Sequence, residues 1–319
     1  MEDADGADGL VDDVAAVAGV QRPRERPHRA GLALRISGTR VQASLKPGAW
    51  RAMRYRKIRV SPVVYVRVCR RLDVLACVTL VNRNLQVLRK QLSNLARGPA
   101  LVRFEPPAGS NWKVATQLLP AGPDGFAFTA PSLQYLMDSP TELSNFEMAE
   151  WVVKDKGKDK TIQVTLHHKG TKAQFEEYVA KTKQIVAEQQ AVFGELPDFD
   201  FGRYTFIGCY MPQASGDGME HRNSTILTNT GSLANPLGVL GTVSHEFFHA
   251  WNVERIRPAS LEPFDFEEAN MSGELWFAEG FTSYYGPLTL RRAELYDYAA
   301  YAAALTGNVN TVLNAPGRR

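Results

Sequence analysis

Two histidines four residues apart, with a glutamate directly after the first, make up the segment His245-Glu246-Phe247-Phe248-His249. On a helix that spacing brings both imidazoles to one face, a single turn apart. Such a pair can hold one zinc ion at about 2.0–2.1 Å per nitrogen. Glu246 then stands where a carboxylate can serve as general base for a water at the ion. A catalytic centre of this kind also needs a third protein ligand and an open coordination position. Glu279, in Glu274-Leu275-Trp276-Phe277-Ala278-Glu279-Gly280, is the candidate, because thirty intervening steps after His249 leave room for a loop and a returning helix. Glu262, Glu267, Glu268 and Glu274 compete on composition. Glu262 precedes Pro263, and Glu267 and Glu268 sit in a Pro/Asp/Asn-flanked stretch that reads as loop.

A second chemical stretch precedes the first, running from Ser215 through Gly216-Asp217-Gly218-Met219-Glu220-His221 to Thr225. Glycines let a substrate backbone approach an exposed edge strand and pair with it. A carboxylate on that edge, Glu220, can hold an α-ammonium group by a charge-assisted hydrogen bond.

Taken together, HEFFHAWNVERIRP, LEPFDF and LWFAEGFTSYYG resemble the glycyl aminopeptidase family of zinc metallopeptidases, a gluzincin family whose third metal ligand is a glutamate. The resemblance runs from about Leu101 onward and takes in GSNWKVATQL and DSPTE. It implies one catalytic zinc ion on His245, His249 and Glu279, with Glu246 as the base. GDGMEH is similar to the Gly-x-Met-Glu-Asn-like segment of related aminopeptidases, which implies substrate contacts from Gly218, Met219, Glu220 and His221. There Glu220 recognises the free N-terminus, and His221 orients Glu220 or contacts the tetrahedral intermediate. The implied activity is removal of N-terminal residues, of glycyl or alanyl type, from a peptide substrate. The family also leads one to expect further chain after Arg319, with the oxyanion donor in it. Three rivals remain: an endopeptidase using the same site, a shortened zinc-binding protein with little or no hydrolysis, and a basic binding module built on residues 14–100.

The elements that must position these residues imply an α+β chain, with an incomplete thermolysin-like peptidase domain preceded by a β-rich region. Three stretches are expected: an atypical arginine-rich region over 1–99 that is poorly ordered or outside the family, a β-rich region over 100–170, and the partial catalytic domain over 171–319. In the first stretch, QRPRERPHRAG, RAMRYRKIRV and VRVCRRLDV are strongly basic, and Ser61–Val66 and Val74–Val81 have the β-branched content of strands. Val87–Leu95 reads as a short helix. The clearest amphipathic helix spans Thr171–Phe193, with Gly194 as its stop. Strands are expected near 101–105, 112–118, 126–130, 160–168, 204–210 and 224–228. Lys154–Asp159 reads as an exposed turn, and His167 and His168 as surface or edge residues rather than ligands. Arg255 and Arg257 are placed to pair with Asp265 or Glu268.

Composition narrows the remaining classes. A hydrophobic fraction of 44% and a charged fraction of 22% are those of an ordinary globular chain. The net charge of +3 is too small to call for a nucleic-acid partner. Three cysteines, Cys69, Cys77 and Cys209, make neither a C-x-x-C metal pair nor a disulfide framework. No stretch approaches the roughly 20 apolar residues of a membrane span. The acidic opening Met1-Glu2-Asp3-Ala4-Asp5 is the opposite of a secretory leader and, read literally, points to the cytoplasm.

Overall fold

The computed structural model describes residues 32–37, 63–68, 99–106, 109–212, 214, 216–262, 264 and 269–316. The expected strand at 74–81 and helix at 87–95 lie outside these residues, as do Asp265, Glu267 and Glu268. The chain divides into two compact units, one ending at Asn145 and the other running from Phe146 onward together with Ala115–Gln117.

The first unit is built on a five-stranded sheet. Its strands are β1 (Leu32–Ser37), β2 (Val63–Val68), β3 (Ala100–Glu105), β5 (Leu119–Pro120) and β6 (Ala127–Ala130), with β4 (Lys113–Thr116) between β3 and β5 in the chain. The order is β1-β2-β3-β6-β5, and only the β2/β3 pair is parallel. Strand β3 alternates buried and half-buried positions, so Val102 and Phe104 face inward, and Phe104 meets Phe128 edge-on at 5.8 Å. A short helix, α1 (Leu133–Met137), is capped by Ser132, whose side chain accepts from the Tyr135 N–H; strand β7 (Thr141–Ser144) follows it.

The second unit positions the chemistry. Its sheet has the order β11-β12-β10-β9-β8, from strands β8 (Glu147–Asp155), β9 (Lys158–His168), β10 (Arg203–Tyr210), β11 (Asp217–His221) and β12 (Ser224–Asn229). The three central strands run parallel, while β8 and β11 close the two edges antiparallel. Helix α2 (Lys172–Phe193) starts on a capping box, Thr171 with Gln174, and stops at Gly194, whose φ of 77° suits a residue without Cβ. Its face of Phe175, Tyr178, Val179, Ile185 and Val186 joins Tyr204, Phe206 and Leu227 of the sheet and Leu240, Val243 and Phe247 of α3 (Leu237–Phe248) in one core. Helices α4 (Leu275–Arg292) and α5 (Tyr298–Asn314) complete the chain. Pro287 sits inside α4 and has no N–H to give to the Ser283 carbonyl; Asn308 of α5 donates to that carbonyl instead, at 3.0 Å.

Some local readings need correction. The β8–β9 turn is exposed at its tip, but Asp155 and Lys160 beside it are buried and paired at 2.8 Å, with Lys160 also donating to the Leu196 carbonyl. His168 is no surface residue: its side chain is 3% exposed, and the ring stacks on Phe175 at 5.6 Å. Cys209 is buried, with its Sγ 3.9 Å from His167 Nδ1. No helix of the described residues is long and apolar enough to cross a membrane.

Candidate metal centre

Helix α3 is apolar around most of its circumference, and Val239, Leu240, Val243 and Phe247 are buried by α2 and the sheet. That packing leaves one stripe, His245 and His249, to face α4. Ser244 anchors the stripe from behind. Its hydroxyl donates to the Gly286 carbonyl of α4 at 2.9 Å, and its own carbonyl accepts from Gln189 of α2 at 2.7 Å. His249 closes the helix with αR backbone angles, so it keeps helical register with His245.

Here the three expected ligands converge. His245 Nε2 lies 3.2 Å from His249 Nε2 and 3.3 Å from Glu279 Oε2, and His249 Nε2 lies 3.6 Å from Glu279 Oε1. Tetrahedral zinc with bonds of about 2.0–2.1 Å sets its ligand atoms about 3.3 Å apart. The donor set therefore fits such an ion before any rearrangement. Its hydrogen bonding agrees: His249 Nδ1–H donates to the Asn252 carbonyl at 2.6 Å, which turns the Nε2 lone pair toward His245 and Glu279. Of the competing glutamates, the two described ones are engaged elsewhere: Glu262 pairs with Arg257 at 3.1 Å, and Glu274 accepts from Ser272 at 2.6 Å.

The electrostatics are those of ligands holding one another's charge. Hydrogen bonds from His245 and His249 keep the Glu279 carboxyl well below the usual carboxylate range. Burial works against charge on His249, yet Glu279, Glu220 and the Asn252 carbonyl together raise that imidazole to about 9. Glu246, beside them on α3, is pushed up to about 8, first by burial and then by the Glu220 charge, with His249 opposing.

The GDGMEH stretch forms β11, the edge strand expected of it. Its pleat puts Gly218 and Glu220 on one face and Asp217, Met219 and His221 on the other. Glu220, Glu246 and His249 bring ligand atoms within 4.8 Å of one another. Gly218 is where the edge strand meets the helix: a Cβ there would lie 2.6 Å from Thr242 Cγ2 and nearer still to Glu246 Oε1. Met219 is exposed, and His221 is buried opposite Ser224. Arg255 fastens this hairpin to the segment after His249 by donating to the carbonyls of Arg222, Asp198 and Ala250 and to Asn223 Oδ1. The expected partners of Arg255 and Arg257, Asp265 and Glu268, lie outside the described residues. Tyr285 stacks on Phe248 at 4.9 Å, so it packs rather than lining the centre.

Sequence reasoning gave no role to two buried residues, Asn252 and Thr282. Asn252 Nδ2 reaches the carbonyls of Phe277 and Ala278, just before Glu279, and Thr282 Oγ1 lies 3.4 Å from His249 Nδ1. Neither residue stands at a spacing that reveals a contact made across two helices.

Comparison with known proteins bears on the family and the fold. The M61 glycyl aminopeptidase family matches residues 238–319, and the peptidase M61 N-terminal domain matches residues 82–145, a stretch that takes in GSNWKVATQL and DSPTE and begins upstream of Leu101. An aminopeptidase N family protein from Idiomarina loihiensis superposes with a TM-score of 0.54 at 25% identity, over 65% of this chain and 36% of that one. The chain thus spans about a third of that relative's length. Aminopeptidase A of Legionella pneumophila in complex with aspartic acid gives a TM-score of 0.40 at 16% identity, over 62% of this chain and 23% of that one. An M1 zinc metallopeptidase of Deinococcus radiodurans gives 0.39 at 16% identity, over 67% and 46%. No curated protein matches. The α+β, thermolysin-like class expected from the sequence is the class found. The resemblance to the M61 glycyl aminopeptidases is thereby shown in two separate segments of the chain, one carrying the family's N-terminal domain pattern and the other its peptidase pattern.

Proposed function

We propose that this chain belongs to a zinc-dependent aminopeptidase acting on peptides with a free N-terminus, glycyl or alanyl residues foremost. The observation that supports it most is the spacing of 3.2, 3.3 and 3.6 Å among the donor atoms of His245, His249 and Glu279. In this reading those three residues hold the ion, which when bound supplies Lewis acidity toward an attacking water and a peptide carbonyl. Glu246 takes a proton from that water and hands it to the departing amine, the acid–base role its buried carboxyl suits. Glu220 receives the α-ammonium of the substrate. Strand β11 ends the sheet, so a peptide can add to it as a further strand, with Met219 and His221 flanking the contact, while Gly218, lacking a Cβ, lets β11 lie against Thr242 and Glu246.

The test separates binding from chemistry. Glu246→Gln should keep about one zinc per chain yet lose hydrolysis of glycyl and alanyl peptides by at least about 100-fold. A variant that keeps the parent's kcat would remove Glu246 from the mechanism. Glu220→Ala should erase the preference for free over acetylated N-termini; an unchanged preference would favour an endopeptidase.

A further inference from the structure

One buried residue reaches both ligand-bearing helices, by its main-chain carbonyl on one side and its side-chain amide on the other. We infer that Asn252 is a positioning residue, fixing His249 and Glu279 at the separation a metal ion requires; this rests on reading His245, His249 and Glu279 as the ligands. Its main-chain carbonyl accepts from His249 Nδ1 at 2.6 Å, which sets the rotation of that ring. Its side-chain Nδ2 points into three acceptors on α4: the carbonyls of Phe277 and Ala278, both at 3.1 Å, and Thr282 Oγ1 at 3.2 Å. Both carbonyls belong to the residues directly before Glu279, so the amide grips the helix at the turn that presents the carboxylate.

Thr282 closes the circuit. Its hydroxyl donates to the Ala278 carbonyl at 2.6 Å and lies 3.4 Å from His249 Nδ1. Asn252 is 2% exposed and Thr282 fully buried, so water does not compete for these contacts. Two hydrogens facing three acceptors make a shared, short-range clamp, and sliding α4 by about 1 Å would take at least one acceptor beyond hydrogen-bond reach. Outer partners of this kind typically contribute about 10–100-fold to metal affinity.

The experiment is a zinc titration of the metal-free 319-residue chain against a chelating indicator, beside visible spectra of the cobalt(II)-loaded protein and circular dichroism for folding. Asn252→Ala and Asn252→Asp should each raise the zinc Kd by about 10–100-fold and change the cobalt bands at saturation. Thr282→Val, which keeps the side-chain shape, should move both readouts in the same direction and covers the case in which an Asn252 variant does not fold. Tyr178→Phe is the control for stability alone, since it removes a buried hydroxyl pair with Tyr210, 3.1 Å apart, that touches no candidate ligand. It should leave both readouts where they are. Kd values within about threefold of the parent for the folded Asn252 and Thr282 variants would overturn the inference, as would an equal rise in Tyr178→Phe. A parent chain that takes up no zinc would overturn the ligand assignment itself, and the inference with it.

Discussion

The two helices that face each other across the candidate centre are held in opposite ways. In α3, seven of twelve residues are buried, and Phe247 and Leu240 are fully enclosed. In α4 only five of eighteen are buried, while Trp276 is 68% exposed and Phe281 43%. The histidines are therefore placed by close packing, and the glutamate by hydrogen bonds from Asn252, Ser244 and its own imidazole partners. Packing fixes an element in all directions; a few polar contacts fix it only where they act. The difference teaches that the histidines form the rigid half of the candidate centre, and that the softer half, carrying Glu279, is where affinity for an ion can be tuned.

That contrast can be broken outright at the ligands. His249→Ala should take zinc from about one per chain to none by elemental analysis, whereas Glu279→Ala should leave a weakened two-histidine site. Equal retention by both variants would end the assignment. Next in size, Phe247→Ala should destabilise the fold by about 3–5 kcal/mol in denaturant titrations, since it opens a cavity among Tyr204, Phe206 and Trp251.

Acidity sharpens the comparison further. His249 is raised from 6.5 to about 9, so its protonated form stabilises the metal-free fold fully below pH 6.5, and that contribution is lost as pH rises through 9. Glu246, raised from 4.5 to about 8, acts in the same direction, because the fold binds its proton more tightly than the unfolded chain does. The Tm of chelator-treated protein should fall between pH 6.5 and 9, and His249→Ala should flatten that slope. The smallest effect belongs to the open helix: Trp276→Ser should change stability by no more than about 0.5 kcal/mol. A loss as large as that of Phe247→Ala would mean α4 is packed after all.

Legibility in the sequence followed how local each cause was. Helix α2 could be read end to end because its cap, its apolar face and its terminating glycine all lie within the segment itself. The shared face of His245 and His249 was legible for the same reason, since four-residue spacing is a property of one helix. Strand β8 was not assigned: Met148 and Val152 are exposed while Ala149, Trp151 and Val153 pack inward, so apolar residues on both faces blur the alternation. Charge composition made Lys154–Asp159 look wholly exposed because the buried pairing of Asp155 with Lys160 is only as visible as its tertiary partners, here Leu196 and Gln190. His168 misled similarly, its burial supplied by Phe175 on the next element.

The proline inside α4 has a consequence for the order in which the chain opens. Because Pro287 cannot donate, the Ser283 carbonyl is free to accept from Asn308, and this gives α5 a polar attachment point on a helix it otherwise meets without burying any of its own seventeen residues. A segment attached in that manner has little apolar surface to lose on detaching, so its amides should exchange with solvent deuterium through a local opening far below the global unfolding free energy. The central strands β9 and β10 should exchange only when the whole unit unfolds. The last helix would then behave as a separate, low-stability folding unit, hinged at a hydrogen bond that a missing N–H left available.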